Sequence, residues 1–413
     1  MPFTKQEIGD GVRLHLCDNS RYKTITVKIF IQQEISEEHV TQTAIIPFLL
    51  LRQLQYEEFA GVSFKGDIIK TGDLQIIEFS MEMVLPEFLP YGQKMAKTAC
   101  KTLWKQISDP ELVRKAFNKK DFELERLALK NRLNDRVNNR STFARYRATR
   151  HIGYLEEMKI HQYGLEEYFE QLEVEEVYEY YKELIRYHPI DIFIVGKGVE
   201  RLAKVFDVSG LNRKAIKRLT VAEEIPRGTP IDCYDRHNVE QGICLMCYRT
   251  GLSYADDEFF ELVVLSGVYS RFSHSKLFVH LRERATLCER LHSFIEPTKG
   301  YLMAGATINV RVYGSVLRVM DRQLEAIELG KITPAELENT KKALIRELIC
   351  VEDNPVMLIY QYLIAVINQK VRSVEEKIDL INQVTITNVQ KRALNLTLDT
   401  IYLFHGVPRR RKK

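Results

Sequence analysis

The strongest constraint on the fold is a plan of hydrophobic patterns that occurs twice along the chain. In the first half, GVRLHLCDN and YKTITVKIFIQQ alternate as strands, Thr24, Thr26 and Lys28 opposing Ile25, Val27 and Ile29 as in a half-buried pair. An apolar helix follows in TAIIPFLLLRQLQ, with Pro47 expected near its start and Thr43 as its cap. GVSFKGDIIK and DLQIIEFSMEM form a hairpin, Leu85 to Gln106 and about Pro110 to His188 read as helical, and PIDIFIVGKG is a buried strand that closes the half. The second half repeats this order. QGICLMCYRTG is a strand, DDEFFELVVLSGVYS a helix capped at Asp256 or Asp257, and SKLFVHLRER a second helix. LCERLHSFIEP and KGYLMAGATINV make the hairpin. Helices are expected over Val312–Leu329, Thr333–Val351, Val374–Val384 with Ser373 as cap, and Asn388–Leu396, and TIYLFHG is the closing strand.

A sequence repeat on this scale implies two similar domains. The expected class is α+β, each domain an antiparallel-rich sheet covered by helices, over residues 1–206 and 231–413. Residues 207–230, which hold charges, two prolines and two glycines, form the linker, and the irregular stretch extends to Asn238. With 45% hydrophobic and 28% charged residues the composition is that of a globular protein, and a net charge of +4 does not argue for nucleic acid. The N-terminus has no signal-like apolar region, and no run of about 20 apolar residues could span a membrane, so a cytoplasmic location is expected. Seven scattered cysteines fit a reducing compartment. The pair Cys244 and Cys247 lies on a strand, where residues three apart face opposite sides, so it reads as two core cysteines. The tail PRRRKK reads as a solvated terminus.

Five stretches carry a family resemblance: GVRLHL, the PFLLL helix, ELERLALKNRL, FSHSKLFVHLRERATL and KGYLMAGATI. In this order they resemble the pitrilysin/insulinase family of zinc peptidases over nearly the whole chain. The likeness is closest to the processing-peptidase subfamily, and within it to the zinc-free member of paired proteins of bacilli. The resemblance implies that the two domains form half of a clam-shell. A zinc peptidase of this kind needs two histidines one helical turn apart, a glutamate general base between them and a later glutamate ligand. Laid over that pattern, Pro47 and Leu51 stand at the histidine positions, Leu50 at the base and Arg132 at the third ligand. Pro and Leu side chains offer no lone pairs, and Arg is a fixed cation. No zinc is expected in this chain, and no hydrolysis by it alone. Taken alone, PFLLL reads as a plain core helix, and only the order of the flanking motifs favours the other reading.

The resemblance also implies a partner: a zinc-bearing homologous subunit, with peptide as substrate and no nucleic acid or membrane. In such pairs the zinc-free subunit supplies an Arg and, seven residues later, a Tyr to the substrate carbonyl or oxyanion. Here the Arg is Arg282 and the Tyr position is Glu289, a carboxylate that cannot donate to an oxyanion. Glu289 is then open to pairing with Arg282 or Arg284, or to holding a substrate amine. The glycine-rich turn before the motif is replaced by Tyr269-Ser-Arg271.

Between Val113 and Arg150 stand twelve Lys/Arg and four Asp/Glu, followed by an acidic stretch from Leu155 to Arg186. That segregation suits either two mutually attracting solvated helices or a surface that draws in acidic peptides, such as leader peptides of ribosomally made natural products. GVSFKGDIIK stands where the family offers a sheet edge to an extended peptide. The leading expectation is a non-catalytic, peptide-positioning subunit of a processing peptidase. The rivals are a purely structural scaffold and a homodimeric peptide-binding module.

Overall fold

The computed structural model describes residues 3–406 except 55–58, 60, 90, 221–223 and 238. The PRRRKK tail lies outside the described residues. The first sheet is built from β1 (Thr4–Gly9), β2 (Val12–Asp18) and β3 (Thr24–Glu34). After helix α1 (Val40–Arg52) come β4 (Val62–Thr71) and β5 (Leu74–Val84). Helices α2 (Gly92–Ser108), α3 (Lys119–Asp135), α4 (Arg140–Ile152) and α5 (Val174–Tyr187) precede β6 (Ile190–Gly196) and the short α6 (Glu200–Ala203). The second sheet comprises β7 (Ile231–His237), β8 (Gly242–Arg249), β9 (Cys288–Glu296) and β10 (Tyr301–Ile308), with α7 (Phe259–Ser266) between β8 and β9. Helices α8 (Tyr313–Glu328), α9 (Pro334–Val351), α10 (Pro355–Ile367), α11 (Val374–Gln383) and α12 (Ile386–Leu394) lead to β11 (Thr397–Gly406).

The doubling expected from sequence is present in the strand order. The first sheet runs β1-β2-β6-β3-β5-β4 and the second β7-β11-β8-β10-β9, so dropping β1 leaves the same five-strand arrangement. In both sheets one pair is parallel, β2 with β6 and β7 with β11, and the remaining pairs are antiparallel. The fold is therefore α+β with two related sheets.

The chain divides into two compact units that are not consecutive halves. Unit 1 holds residues 1–135, 160–222 and 352–361, and unit 2 holds 136–159, 223–351 and 362–413. Each sheet thus has its main helical cover on one face and, on the other, a helical segment from the opposite half of the sequence. In unit 2, Phe143, Ala144, Ala148 and Ile152 of α4 pack on Ile243, Leu245, Met303 and Phe404. Beside this apolar patch, Arg147 of α4 pairs with Asp235 at 2.6 Å and the buried Glu156 takes Arg249 at 2.6 Å and Lys299 at 2.7 Å. The corresponding face in unit 1 is polar and still buried.

This is where the half-buried reading of β3 fails. Thr26 is 2% exposed and Lys28 4%. Lys28 Nζ bonds Glu78 Oε1, and Tyr360 of α10 donates to both oxygens of Glu78, at 2.9 and 2.7 Å. Beside them the fully buried Asp191 accepts from Arg13 and Gln32, each at 2.5 Å, and meets His15 Nε2 at 2.7 Å. Lys28 and Gln32 of β3 thus point not to water but into a network that satisfies them.

Other expectations shift for local reasons. The stretch from Pro110 to His188 is three helices, α3 to α5, rather than one long run. Pro47 lies in the interior of α1, because the helix begins at Val40, and Thr43 is buried inside it rather than capping it. A Pro there removes one backbone donor and crowds the preceding turn. Neither Asp256 nor Asp257 caps α7: Asp256 Oδ2 accepts from Ser253, and Asp257 pairs with Arg372 at 2.6 Å. SKLFVHLRER ends in a π-helical turn over Phe278–Arg284. The cap at Ser373 forms as expected, a reciprocal pair with Glu376, and Thr333 makes the same reciprocal pair with Glu336 at the start of α9. Elements absent from the sequence reading are β1, β7, α10 and the short α6.

Two stability measurements test this account. Glu78→Leu strands a buried ammonium and should cost about 3–5 kcal/mol in urea unfolding, whereas Lys28→Met combined with Glu78→Leu should recover most of it. Equal losses in the single and double variants would refute the pairing. At Gly66 on β4, a Cβ would lie 2.9 Å from the Pro47 carbonyl oxygen and 3.0 Å from Leu51 Cδ1. Gly66→Ala should lower the unfolding free energy by about 1–3 kcal/mol through overpacking, and an unchanged urea midpoint would refute that close approach.

Candidate functional site

The cavity that involves the replaced zinc-site positions lies within unit 1 and has a volume of about 660 Å³. Helix α1 presents Pro47, Phe48, Leu51 and Arg52 to it, and α3 presents Glu125 and Arg132. Edge strand β4 contributes Phe64 to Asp67, and the polar sheet face contributes Lys28 and Glu78. Helix α1 approaches β4 closely because Gly66 has no side chain to hold it off.

Three of the four positions named from sequence, Pro47, Leu51 and Arg132, therefore meet at one cavity. Leu50, at the general-base position, does not line it; it is 1% exposed and packs in the core of the unit. The Arg132 guanidinium lies over the Phe48 ring, 3.8 Å from its centroid, a cation–π contact where a ligand carboxylate would be needed. Glu125, two helical turns before Arg132, is drawn instead to Arg52, which donates to it at 2.6 Å and to Asp121 at 3.1 Å. The residues present do not fit zinc: two carry hydrocarbon, one is a cation, and the nearest carboxylate is already paired.

Several cavity residues were not singled out from sequence. Asp67 accepts the Tyr163 hydroxyl at 2.6 Å, and burial together with this carboxylate pushes the phenol pKa well above its ordinary value. Arg52 and Glu125 were legible in principle, since they flank the motif positions, but an ion pair across 73 residues leaves no mark in local pattern. Part of the basic run is neutralised by the acidic stretch: Glu170 takes Lys130 at 2.5 Å and Arg126 at 3.6 Å.

Arg282 and Glu289 belong to unit 2. Arg282 is exposed at the end of the π-helical turn, 5.1 Å from the Phe278 ring centroid. Glu289 is exposed on β9 and accepts from the Gln241 amide rather than from Arg282 or Arg284. The altered turn Tyr269-Ser-Arg271 continues α7 as a π-helical segment. Tyr269 is buried and donates to the Met320 carbonyl at 3.2 Å, and Arg271 pairs with Glu347 at 2.7 Å.

The two cysteines of the strand pair enter different cores, Cys244 on the α7 face and Cys247 on the α4 face. Burial pushes the Cys244 thiol up to about 12 and Cys247 well above its ordinary value, so neither is poised as a thiolate. Among the described residues no three His, Cys, Asp or Glu side chains cluster in a metal-binding arrangement, and no single helix is long and apolar enough to cross a membrane.

Comparison with known proteins agrees with this geometry. A model of the peptidase M16 inactive domain matches residues 171–344. A Bacillus subtilis (strain 168) protein named probable inactive metalloprotease YmfF is 24% identical over 415 residues, covering 96% of each chain. The solved structure of a conserved protein from Enterococcus faecalis V583 superposes with a TM-score of 0.86 at 26% identity, over 98% of this chain and 99% of that one. A peptidase M16 inactive domain from Pseudomonas fluorescens has the same fold, with a TM-score of 0.79 at 12% identity over the full length of both chains. The chain thus carries a match to the peptidase M16 inactive domain over residues 171–344 and is homologous to YmfF along almost its entire length, with Pro47, Leu50, Leu51 and Arg132 where the zinc peptidases it resembles carry their reactive residues.

Proposed function

We propose that this chain is the zinc-free subunit of a heterodimeric processing peptidase, and that it binds and positions an extended peptide for a zinc-bearing homologous partner. The observation that carries this reading is the state of the unit 1 cavity. The metal chemistry has been replaced at Pro47, Leu50, Leu51 and Arg132, yet a space of about 660 Å³ remains at three of those positions. A frame kept only for stability gains nothing from leaving such a space unfilled, since packing it would add contacts. The cavity also lies beside β4, the last strand of its sheet, and a peptide strand added at a sheet edge is held by main-chain hydrogen bonds. Arg132 lacks a carboxylate partner among the described residues, so an acidic side chain of a leader-type peptide has a cation to meet.

A second reading, a scaffold with no part in proteolysis, draws support from Glu289. A carboxylate engaged by Gln241 stands where the family resemblance calls for a hydroxyl donor.

Cleavage assays with this chain alone, a zinc-bearing homologue from the same genome alone, and the mixture separate the two. The expected outcome is turnover in the mixture well above either protein alone. Arg282→Ala in the mixture should reduce the rate by about 10²-fold if Arg282 serves the oxyanion. An unchanged rate would leave this chain as a substrate clamp, with Arg132→Ala then raising KM. Full activity of the homologue by itself would establish the scaffold reading, and stoichiometric zinc with cleavage by this chain alone would overturn both.

A further inference from the structure

Unit 2 contains a cavity of its own, about 280 Å³, between the first turns of α4 and strands β8, β9 and β10. Its floor is apolar, formed by Ile243, Leu245, Phe294 and Met303. Of its ten lining residues only Arg145 carries a fixed charge. His292, the other ionisable lining group, is brought down to about 4 by burial and the neighbouring Arg290, and so is neutral at physiological pH. It shares a hydrogen bond with Thr307 Oγ1 at 2.9 Å.

Arg145 is held rather than loose. Its guanidinium lies 4.7 Å from the centroid of the Phe294 ring, and no carboxylate among the described residues pairs with it. The hydroxyls of Ser141 and Thr142, at the start of α4, join the same lining. The contrast with unit 1 is informative. There, four cations and four carboxylates line the cavity and several neutralise one another. Here a single guanidinium stands at an apolar hollow with its in-plane donors unclaimed by any acid. A planar fork of that kind matches an oxyanion, and the hollow beneath matches a hydrocarbon body. The volume is slightly under the roughly 300–1,000 Å³ of drug-sized ligand sites, which limits the occupant to about one amino-acid residue or a small organic acid.

We propose that this cavity binds a small apolar carboxylate, its body against Leu245, Phe294 and Met303 and its oxyanion on Arg145 with a hydroxyl from Ser141 or Thr142. Two sources share that chemistry: the C-terminal residue of a peptide, and a free small acid. The proposal does not depend on the partner-subunit reading.

Titration calorimetry of the full chain with N-acetyl-leucine, its amide, and a short peptide ending in a free leucine carboxylate tests it. Saturable binding of N-acetyl-leucine is expected, weaker by about tenfold for the amide and by about tenfold in Arg145→Met, which keeps the side-chain length without the charge. Arg145→Lys should retain part of the affinity, and because Arg145 is exposed, neither variant disturbs the core. A peptide that binds more tightly than N-acetyl-leucine assigns the occupant as a peptide terminus; equal affinity assigns it as a free acid. Equal binding of acid and amide, indifference to Arg145→Met, or no saturable binding of either carboxylate overturns the proposal.

Discussion

Lys28 and Glu78 face each other across neighbouring strands inside unit 1, with the Tyr360 hydroxyl closing over the carboxylate. A buried ion pair tolerates little freedom, because the desolvation of each charge is offset only while its partner and remaining hydrogen bonds are in place. The partner is fixed by the β3–β5 register, which sets Lys28 opposite Ser80 and Phe30 opposite Glu78, so the pair forms on a diagonal. The remaining bonds come from Tyr360, more than 280 residues further along the chain, near the middle of α10. The polar face of the first sheet thus depends on a residue from the far half of the sequence, which accounts for residues 352–361 belonging to unit 1. In unit 2 the equivalent exchange, residues 136–159 onto the second sheet, combines Phe143, Ala148 and Ile152 with ion pairs of its own, Arg147 with Asp235 and Glu156 with Arg249 and Lys299.

Pairings over such sequence distances limit what can be read from local pattern. The repeated order of strand, helix, hairpin, helices and strand rests on local periodicity, which the five-strand arrangement of each sheet preserves. The alternation in YKTITVKIFIQQ gave the strand correctly but implied a wet face, because nothing within the segment announces that Tyr360 will cover Lys28. Helix α10 itself, PVMLIYQYLIAVI, is apolar almost all round and has no helical period to detect. Its one local mark is Asn354 before Pro355: the Asn354 side chain accepts from the backbone of Val356 and Met357, the ordinary start of a helix. Strand β7 was hidden for the opposite reason. IDCYDRH is charged and only half buried, and it is a strand because β11 runs parallel beside it.

The candidate site divides along the same line. Motif order placed Pro47, Leu51 and Arg132 together, since the spacing of a helix and a later helix survives the loss of chemistry. It could not place Leu50 in the core rather than in the cavity, which depends on how α1 is turned against β4. That rotation is fixed by Gly66, where the backbone of β4 comes within reach of the Pro47 carbonyl. Nor could it foresee that Arg132 lies on Phe48 while Arg52 claims Glu125.

These two contacts bear on how a peptidase-like frame accommodates side chains that cannot hold zinc. Removing two histidines and a glutamate from a zinc site leaves a buried polar hole that costs stability unless it is filled or paired. Here the hole is resolved three ways at once. Leu50 turns one position into core, Arg52 neutralises the remaining Glu125, and Arg132 turns the third-ligand position into a cation that rests on an aromatic face instead of requiring a counter-ion. Of the three, only the last leaves a charge free to act on something outside the protein. In unit 2, Arg145 on Phe294 has the same construction, a guanidinium held by a ring with no acid paired to it among the described residues. A cation supported in this way is oriented without being neutralised, which is the property a receptor for carboxylates needs and a structural ion pair lacks.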